Sequence, residues 1–264
     1  VMADANAYVS VTFNGKTTTH NVAGLKRDGQ GRVSVRQELF AAMMRDEMTL
    51  QVFNGQGEVQ TLMYKETEDV TDGFVYSALK YLKDRQENSK NEEMKELARA
   101  AELYGTAVQV YFGYKTDELP PEDRAAMEEA ANKISIPESC AEDTTGTLLD
   151  GVKKRTKTVM FESDNTLRQY YYIDDESIGN YTFTLNDDTV EPERAESGKY
   201  YVDQPNIASG LLSREYTFTV SDGTNTFTIT SSALGYAYDC QYSGTQNMVN
   251  LVKLLYRYSQ AADA

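Results

Sequence analysis

Asn91-Glu92-Glu93-Met94-Lys95-Glu96-Leu97-Ala98-Arg99-Ala100-Ala101-Glu102-Leu103-Tyr104-Gly105-Thr106-Ala107-Val108-Gln109-Val110-Tyr111-Phe112-Gly113 decides the fold, because its pattern occurs twice. Met94, Leu97, Ala98, Ala101, Tyr104, Gly105, Val108, Tyr111 and Phe112 recur at three- and four-residue intervals, the spacing of one buried helical face. Met248, Leu251, Val252, Leu255, Tyr258, Ser259 and Ala262 repeat the stripe at a constant offset of 154 residues. Acids at Glu92 and Glu93 suit a helix start, and Gly113 suits its stop.

The likeness extends upstream. Ser77-Ala78-Leu79-Lys80-Tyr81 answers Ser232-Ala233-Leu234-Gly235-Tyr236, a shorter helix before each long one. Glu87-Asn88-Ser89 and Ser243-Gly244-Thr245 are the intervening turns, so each pair reads as an antiparallel helical hairpin. Thr49–Phe53 runs into Asn54-Gly55, and Thr217–Ser221 into Asp222-Gly223. Both dipeptides accept the positive φ angles of a type I′ hairpin turn. Val9–Asn14 answers Tyr181–Asn186, and Gly31–Val35 answers Gly198–Val202. The spacing predicts an α+β chain of two tandem copies, each a small antiparallel sheet or sandwich followed by a helical hairpin. The expected boundaries are 1–114 for the first copy, 115–155 for a connector and 156–264 for the second. Pro120-Pro121-Glu122-Asp123 starts a short helix in the connector, running to about Lys133, and the connector is expected to pack on one or both copies. A leading strand pair near Thr158–Phe161 and Leu167–Ile173 lacks a counterpart in the first copy. The first sheet is therefore expected to be one or two strands smaller, and both ends, Val1 and Ala264, read as cut from a longer array.

Ala107-Val108-Gln109-Val110-Tyr111-Phe112-Gly113-Tyr114-Lys115-Thr116-Asp117 resembles a segment that recurs in large exported surface proteins of gut Clostridia, chiefly Lachnospiraceae and Ruminococcaceae. Thr166-Leu167-Arg168, Pro205-Asn206-Ile207-Ala208 and Leu251–Tyr256 are similar to the same group, while Gly210-Leu211-Leu212 departs from its more polar pattern. The resemblance spans nearly the whole chain and identifies a module, not a chemistry. It implies a fragment of a secreted or cell-surface protein of a gut commensal, beside other repeat or immunoglobulin-like domains. It also implies an adhesin-like role, since some relatives bind host immunoglobulin in a superantigen-like way.

Composition narrows the partners. Across 264 residues the formal net charge is −15, a field that repels phosphate backbones and anionic lipid heads. Nucleic acid and direct membrane insertion are not expected, and no apolar run has the length of a bilayer span. The basic cluster Lys153-Lys154-Arg155 reads as a solvated linker face. Cys140 and Cys240 leave two readings open: a disulfide, worth at most about 4.7 kcal/mol in the chain-entropy model for a loop near 100 residues, or two half-buried thiols. Two cysteines are too few for structural zinc.

Catalytic chemistry finds little support. The lone histidine, His20, stands in a threonine-rich strand without a nucleophile partner. Asp174-Asp175-Glu176 and Asn186-Asp187-Asp188 read as turns rather than calcium loops. Gly29-Gln30-Gly31 lacks dinucleotide or phosphate spacing, so no cofactor and no metal is expected, and the chain is read as non-enzymatic. The tyrosines carry the binding hypothesis. In Tyr170-Tyr171-Tyr172 the middle ring faces one side of a strand and its neighbours the other, and Tyr200-Tyr201 alternates likewise. One face is core. The other is either cross-strand packing or an aromatic patch for a protein or glycan partner. Host-protein binding, carbohydrate binding and a structural spacer are the functional readings.

Overall fold

The computed structural model describes residues 5–63, 70–153, 155–161 and 165–264, so Lys154 of the basic cluster lies outside it. The chain is α+β: antiparallel sheets with five α-helices among the described residues. It forms two compact units, Val1–Ala98 and Arg99–Ala264.

The first unit holds β1 (Tyr8–Phe13), β2 (Lys16–Asn21), β3 (Met48–Phe53), β4 (Val59–Gln60), β5 (Leu62–Met63), β6 (Val70–Thr71), β7 (Phe74–Tyr76) and α1 (Ala78–Asn88), and ends within α2 (Glu92–Phe112). Asn14 and Gly15, at φ 48° and 74°, turn β1 into β2. Positive φ at both central residues is what a type I′ turn requires, and it matches the twist of the flanking strands. β3 pairs with the other side of β1, and β4 and β7 share the far edge of β3. Val9 and Val11 of β1 are buried with Ala7 and Val22, and Val35, Leu50 and Val52 pack against them. The Ser77 hydroxyl caps α1 by accepting the Lys80 N–H, and the Leu79 N–H donates to the Met44 carbonyl at 2.7 Å. The segment expected as a strand at Gly31–Val35 reduces to one bridge, Val33 with Arg27, among the described residues.

The second unit begins with the rest of α2 and α3 (Pro121–Asn132), then β8 (Asp143–Thr145), β9 (Arg155–Phe161), β10 (Asn165–Tyr171), β11 (Thr182–Leu185), β12 (Asp188–Val190), β13 (Glu193–Arg194), β14 (Tyr200–Ile207), β15 (Tyr216–Ser221), β16 (Thr226–Ser231), α4 (Ala233–Ser243) and α5 (Gln246–Asp263). Its two sheets run β12-β11-β15-β16-β8 and β13-β14-β10-β9, all antiparallel. Burial alternates along β15 and β16, with Tyr216, Phe218, Val220, Phe227 and Ile229 inside. Tyr171 of β10 meets Phe183 of β11 edge-on, with ring centroids 5.2 Å apart, which joins the two sheets through one core. Leu251, Val252, Leu254 and Leu255 bury the apolar face of α5.

The connector segment belongs to this unit. α3 packs on α5 and buries Met127 and Ala131. The Gln241 amide clamps Ile136, accepting its N–H at 3.0 Å and donating to its carbonyl at 2.8 Å. β8 then extends the sheet beside β16. Gly235 lets α4 approach this segment, since a Cβ there would stand 3.1 Å from the Cys140 carbonyl oxygen.

The expected hairpin turns need correction. Neither Asn54-Gly55 nor Asp222-Gly223 forms a two-residue type I′ turn. In the first loop the positive φ falls on Gly57, and the Asn54 side chain collects the N–H groups of Gln56 and Glu58. In the second only Gly223 is positive, within a loop closed by Asp222 and Asn225. The Asx side chain satisfies the backbone of a wider loop, which competes with the tighter turn. Of the two readings for Cys140 and Cys240, the structure has the thiols, not the disulfide. Both pack against Ile136, Ala237 and Val252.

Candidate functional site

The tyrosine run sits where β10 and β14 pair, with Tyr170 opposite Tyr201 and Tyr171 opposite Tyr200. The pleat sends alternate side chains to opposite faces. Tyr171 is fully buried and Tyr200 nearly so, with Leu167, Gln169 and Val202 on the same inner face. Tyr200 directs its hydroxyl to Asp175 at 3.0 Å. These two expected partner-binding residues therefore belong to the core. Tyr170, Tyr172 and Tyr201 lie on the outer face and are half-buried. The strand ends at Tyr171, and Tyr172 continues the alternation one residue beyond it.

On that outer face the rings are organised by charge. Arg168 grips Asp203 with two parallel contacts, Nε to Oδ1 and Nη2 to Oδ2, each 2.7 Å. The same guanidinium lies 3.6 Å from the Tyr201 ring centroid and 5.7 Å from that of Tyr170. Lys199 reaches over Tyr170 and Tyr172, with Nζ 5.5 and 4.7 Å from their centroids. Tyr170 and Tyr201 meet edge-to-face at 5.8 Å, a favourable geometry for aromatic pairs. The Tyr201 hydroxyl donates to Glu193 at 2.6 Å, and this bond raises its pKa. The Asp203 hydrogen bonds likewise raise the pKa of Arg168, so the guanidinium stays charged. The result is a ladder of rings and cations spaced within cation–π range, with each ring mostly covered and partly open to solvent.

Sequence reasoning found the three rings but missed Arg168, Lys199 and Asp203, which hold them. The alternation that places Tyr170 on the outer face also places Arg168 there, two residues before it. It also missed Tyr242, the most exposed tyrosine among the described residues at 73%, which meets Tyr238 one turn earlier on α4 at 5.4 Å.

The remaining candidates have ordinary surroundings. His20 stands in β2 opposite Val9. Asp174 pairs with Lys153 and Asp175 with Arg194. Asn186 and Asp187, at φ 51° and 71°, form a tight turn between β11 and β12. Lys153 is a solvated side chain, but Arg155 opens β9 and turns toward Glu142, so the basic cluster is not one linker face. Among the described residues no group of three His, Cys, Asp or Glu side chains gathers as a metal would require. No described helix is long and apolar enough to cross a membrane.

No protein-family model, no curated protein and no solved structure matches the chain.

Proposed function

We propose that the chain is a non-catalytic binding module of a secreted or cell-surface bacterial protein, and that the Tyr170–Tyr172–Tyr201 face docks a host protein. The observation that carries this is the ladder itself: three partly exposed rings held by an Arg168–Asp203 fork and spanned by Lys199. Tyrosine and arginine dominate binding hot spots. Rings already fixed by neighbours lose little entropy on docking. Immunoglobulin is the first partner to test, through the resemblance to clostridial surface proteins.

The tandem-copy organisation, with copies at 1–114 and 156–264, belongs to the same proposal. It is supported by the shared strand orders β2-β1-β3-β7 and β12-β11-β15-β16. Each order starts with a tight turn, at Asn14-Gly15 or Asn186-Asp187. Each leads to a serine-capped helix whose second residue donates to a preceding carbonyl, Leu79 to Met44 and Leu234 to Leu212. The stripes on α2 and α5 are not buried alike, since Leu97 is half-buried where Leu251 is fully buried. A repeated module suits display on a surface, where several copies raise avidity.

Surface plasmon resonance of the intact chain against immunoglobulins G, A and M and whole serum tests the reading. The expected result is saturable binding, with Tyr170→Ala and Tyr201→Ala each costing about 2 kcal/mol or more, the hot-spot threshold, while circular dichroism stays unchanged. Binding that both variants retain would move the interface elsewhere. Silence toward every serum fraction would favour the spacer, and a glycan-array signal lost in the same variants would favour carbohydrate binding at this face.

A further inference from the structure

Apart from the tyrosine face, the second unit contains a polar cavity of about 660 Å³, within the roughly 300–1,000 Å³ of small-molecule sites. Arg155 and Lys157 reach it from alternate positions of β9, and Glu142 enters from the residue before β8. Tyr236, Asp239 and Ser243 reach it from α4, at the three- and four-residue spacing of one helical face.

The charges in this cavity are paired. The Lys157 side chain is 7% exposed, with Nζ 3.0 Å from Glu142 Oε2 and 2.9 Å from Asp239 Oδ2. Its third neighbour is the Ser231 hydroxyl, which accepts a hydrogen bond from Nζ at 3.3 Å. The Glu142 contact is a charge contact outside hydrogen-bonding angles. Arg155 Nη1 lies 2.5 Å from Glu142 Oε1, and its guanidinium stands 5.5 Å from the Phe227 ring centroid. Two cations thus face two carboxylates. The local charge sums to zero, which gives a phosphate, a carboxylate or a cation no electrostatic advantage.

What the cavity offers instead is unspent hydrogen-bonding capacity. Asp239 is half exposed and uses Oδ2 for Lys157, which leaves Oδ1 as a fixed acceptor. Arg155 turns one of its nitrogens to Glu142 and keeps further N–H donors. The Ser243 hydroxyl donates to the Asp239 carbonyl and retains acceptor lone pairs. A fixed acceptor beside fixed donors matches groups that donate and accept at once, and neighbouring hydroxyls on one small molecule do this. The geometry points to a site for a neutral polyhydroxylated ligand, the chemistry of a sugar residue, held between Arg155 and Asp239. This site uses none of the tyrosine-face residues, so the two assignments stand or fall separately.

Saturation-transfer NMR and calorimetric titration of the intact chain, with glucose, galactose, mannose, fucose, N-acetylglucosamine and N-acetylgalactosamine as probes, test the assignment. At least one probe is expected to bind with a Kd near about 1 mM, to weaken about tenfold in Asp239→Asn and Arg155→Gln, and to bind Tyr170→Ala unchanged. Ser243→Trp fills the mouth from an exposed position without touching the ion pairs, and is expected to abolish binding in a chain that melts normally. Failure of all six probes to bind, binding that survives both Asp239→Asn and Ser243→Trp, or tighter binding of inorganic phosphate than of any sugar would overturn it.

Discussion

Three consecutive tyrosines have different surroundings because the pleat, not the side chain, assigns the face. Tyr171 is fully buried against Phe183, and its hydroxyl has no hydrogen-bond partner among the described residues. Burial pushes that hydroxyl's pKa up, so the group stays neutral. An unsatisfied buried hydroxyl costs free energy that its removal recovers. Tyr171→Phe is therefore expected to leave unfolding free energy unchanged or raise it by about 1 kcal/mol, read from urea denaturation. A loss of that size would show that the hydroxyl has a partner. Tyr171→Ala, which removes the ring as well, is expected to cost about 3–5 kcal/mol. The sequence separated Tyr171 from its neighbours correctly, since the alternation is local. It could not assign Tyr200 to the core, because that depends on where Asp175 meets it from another segment.

Elements begin and end where side chains serve the backbone. Ser232 accepts the Gly235 N–H at 3.0 Å, and Ser77 accepts the Lys80 N–H at 3.2 Å. Alanine at either cap is expected to cost about 1 kcal/mol, with the larger loss at Ser232, whose cap bond is buried. A larger loss at Ser77 in denaturant titration would reverse that ranking. Two acidic turns contribute to the acid limb of stability. The N–H groups of Asn225 and Thr224 hold the Asp222 carboxyl below its usual pKa, and hydrogen bonds from Arg194 and Tyr200 do the same for Asp175. A lowered folded pKa stabilises the fold above the unfolded value of about 3.9 and stops doing so as pH falls through the folded value. Stability is thus expected to decline below about pH 4, and Asp222→Asn to flatten the decline. An unchanged acid profile in that variant would remove Asp222 from the account. The hairpins were legible from their dipeptides. Their loop sizes were not, because Asn54 and Asp222 bind backbone several residues ahead.

Across the molecule, burial is uneven. The largest fully buried side chains, Tyr171, Phe183, Phe218, Met127, Ile136, Leu167, Ile207, Leu212, Ile229, Leu234, Leu251 and Leu254, all lie in Arg99–Ala264. The core of the first unit is built from smaller residues, Ala7, Val9, Val11 and Val22. Local opening follows buried contact, so amide hydrogen exchange is expected to be slowest in β15, β16 and α5 and faster in β1 and β3. Equal protection of β1 and β15 would count against that ordering. From the chain alone came the helical stripes, the alternating strands and the split of the tyrosines between two faces, because each is written in steric and hydrogen-bonding preferences a few residues long. Only the folded chain decided that the connector joins the second unit, that Lys157 turns inward to Glu142 and Asp239, and that Arg168 lies over Tyr201. Those outcomes depend on which surfaces meet across tens of residues, and no short-range preference records that.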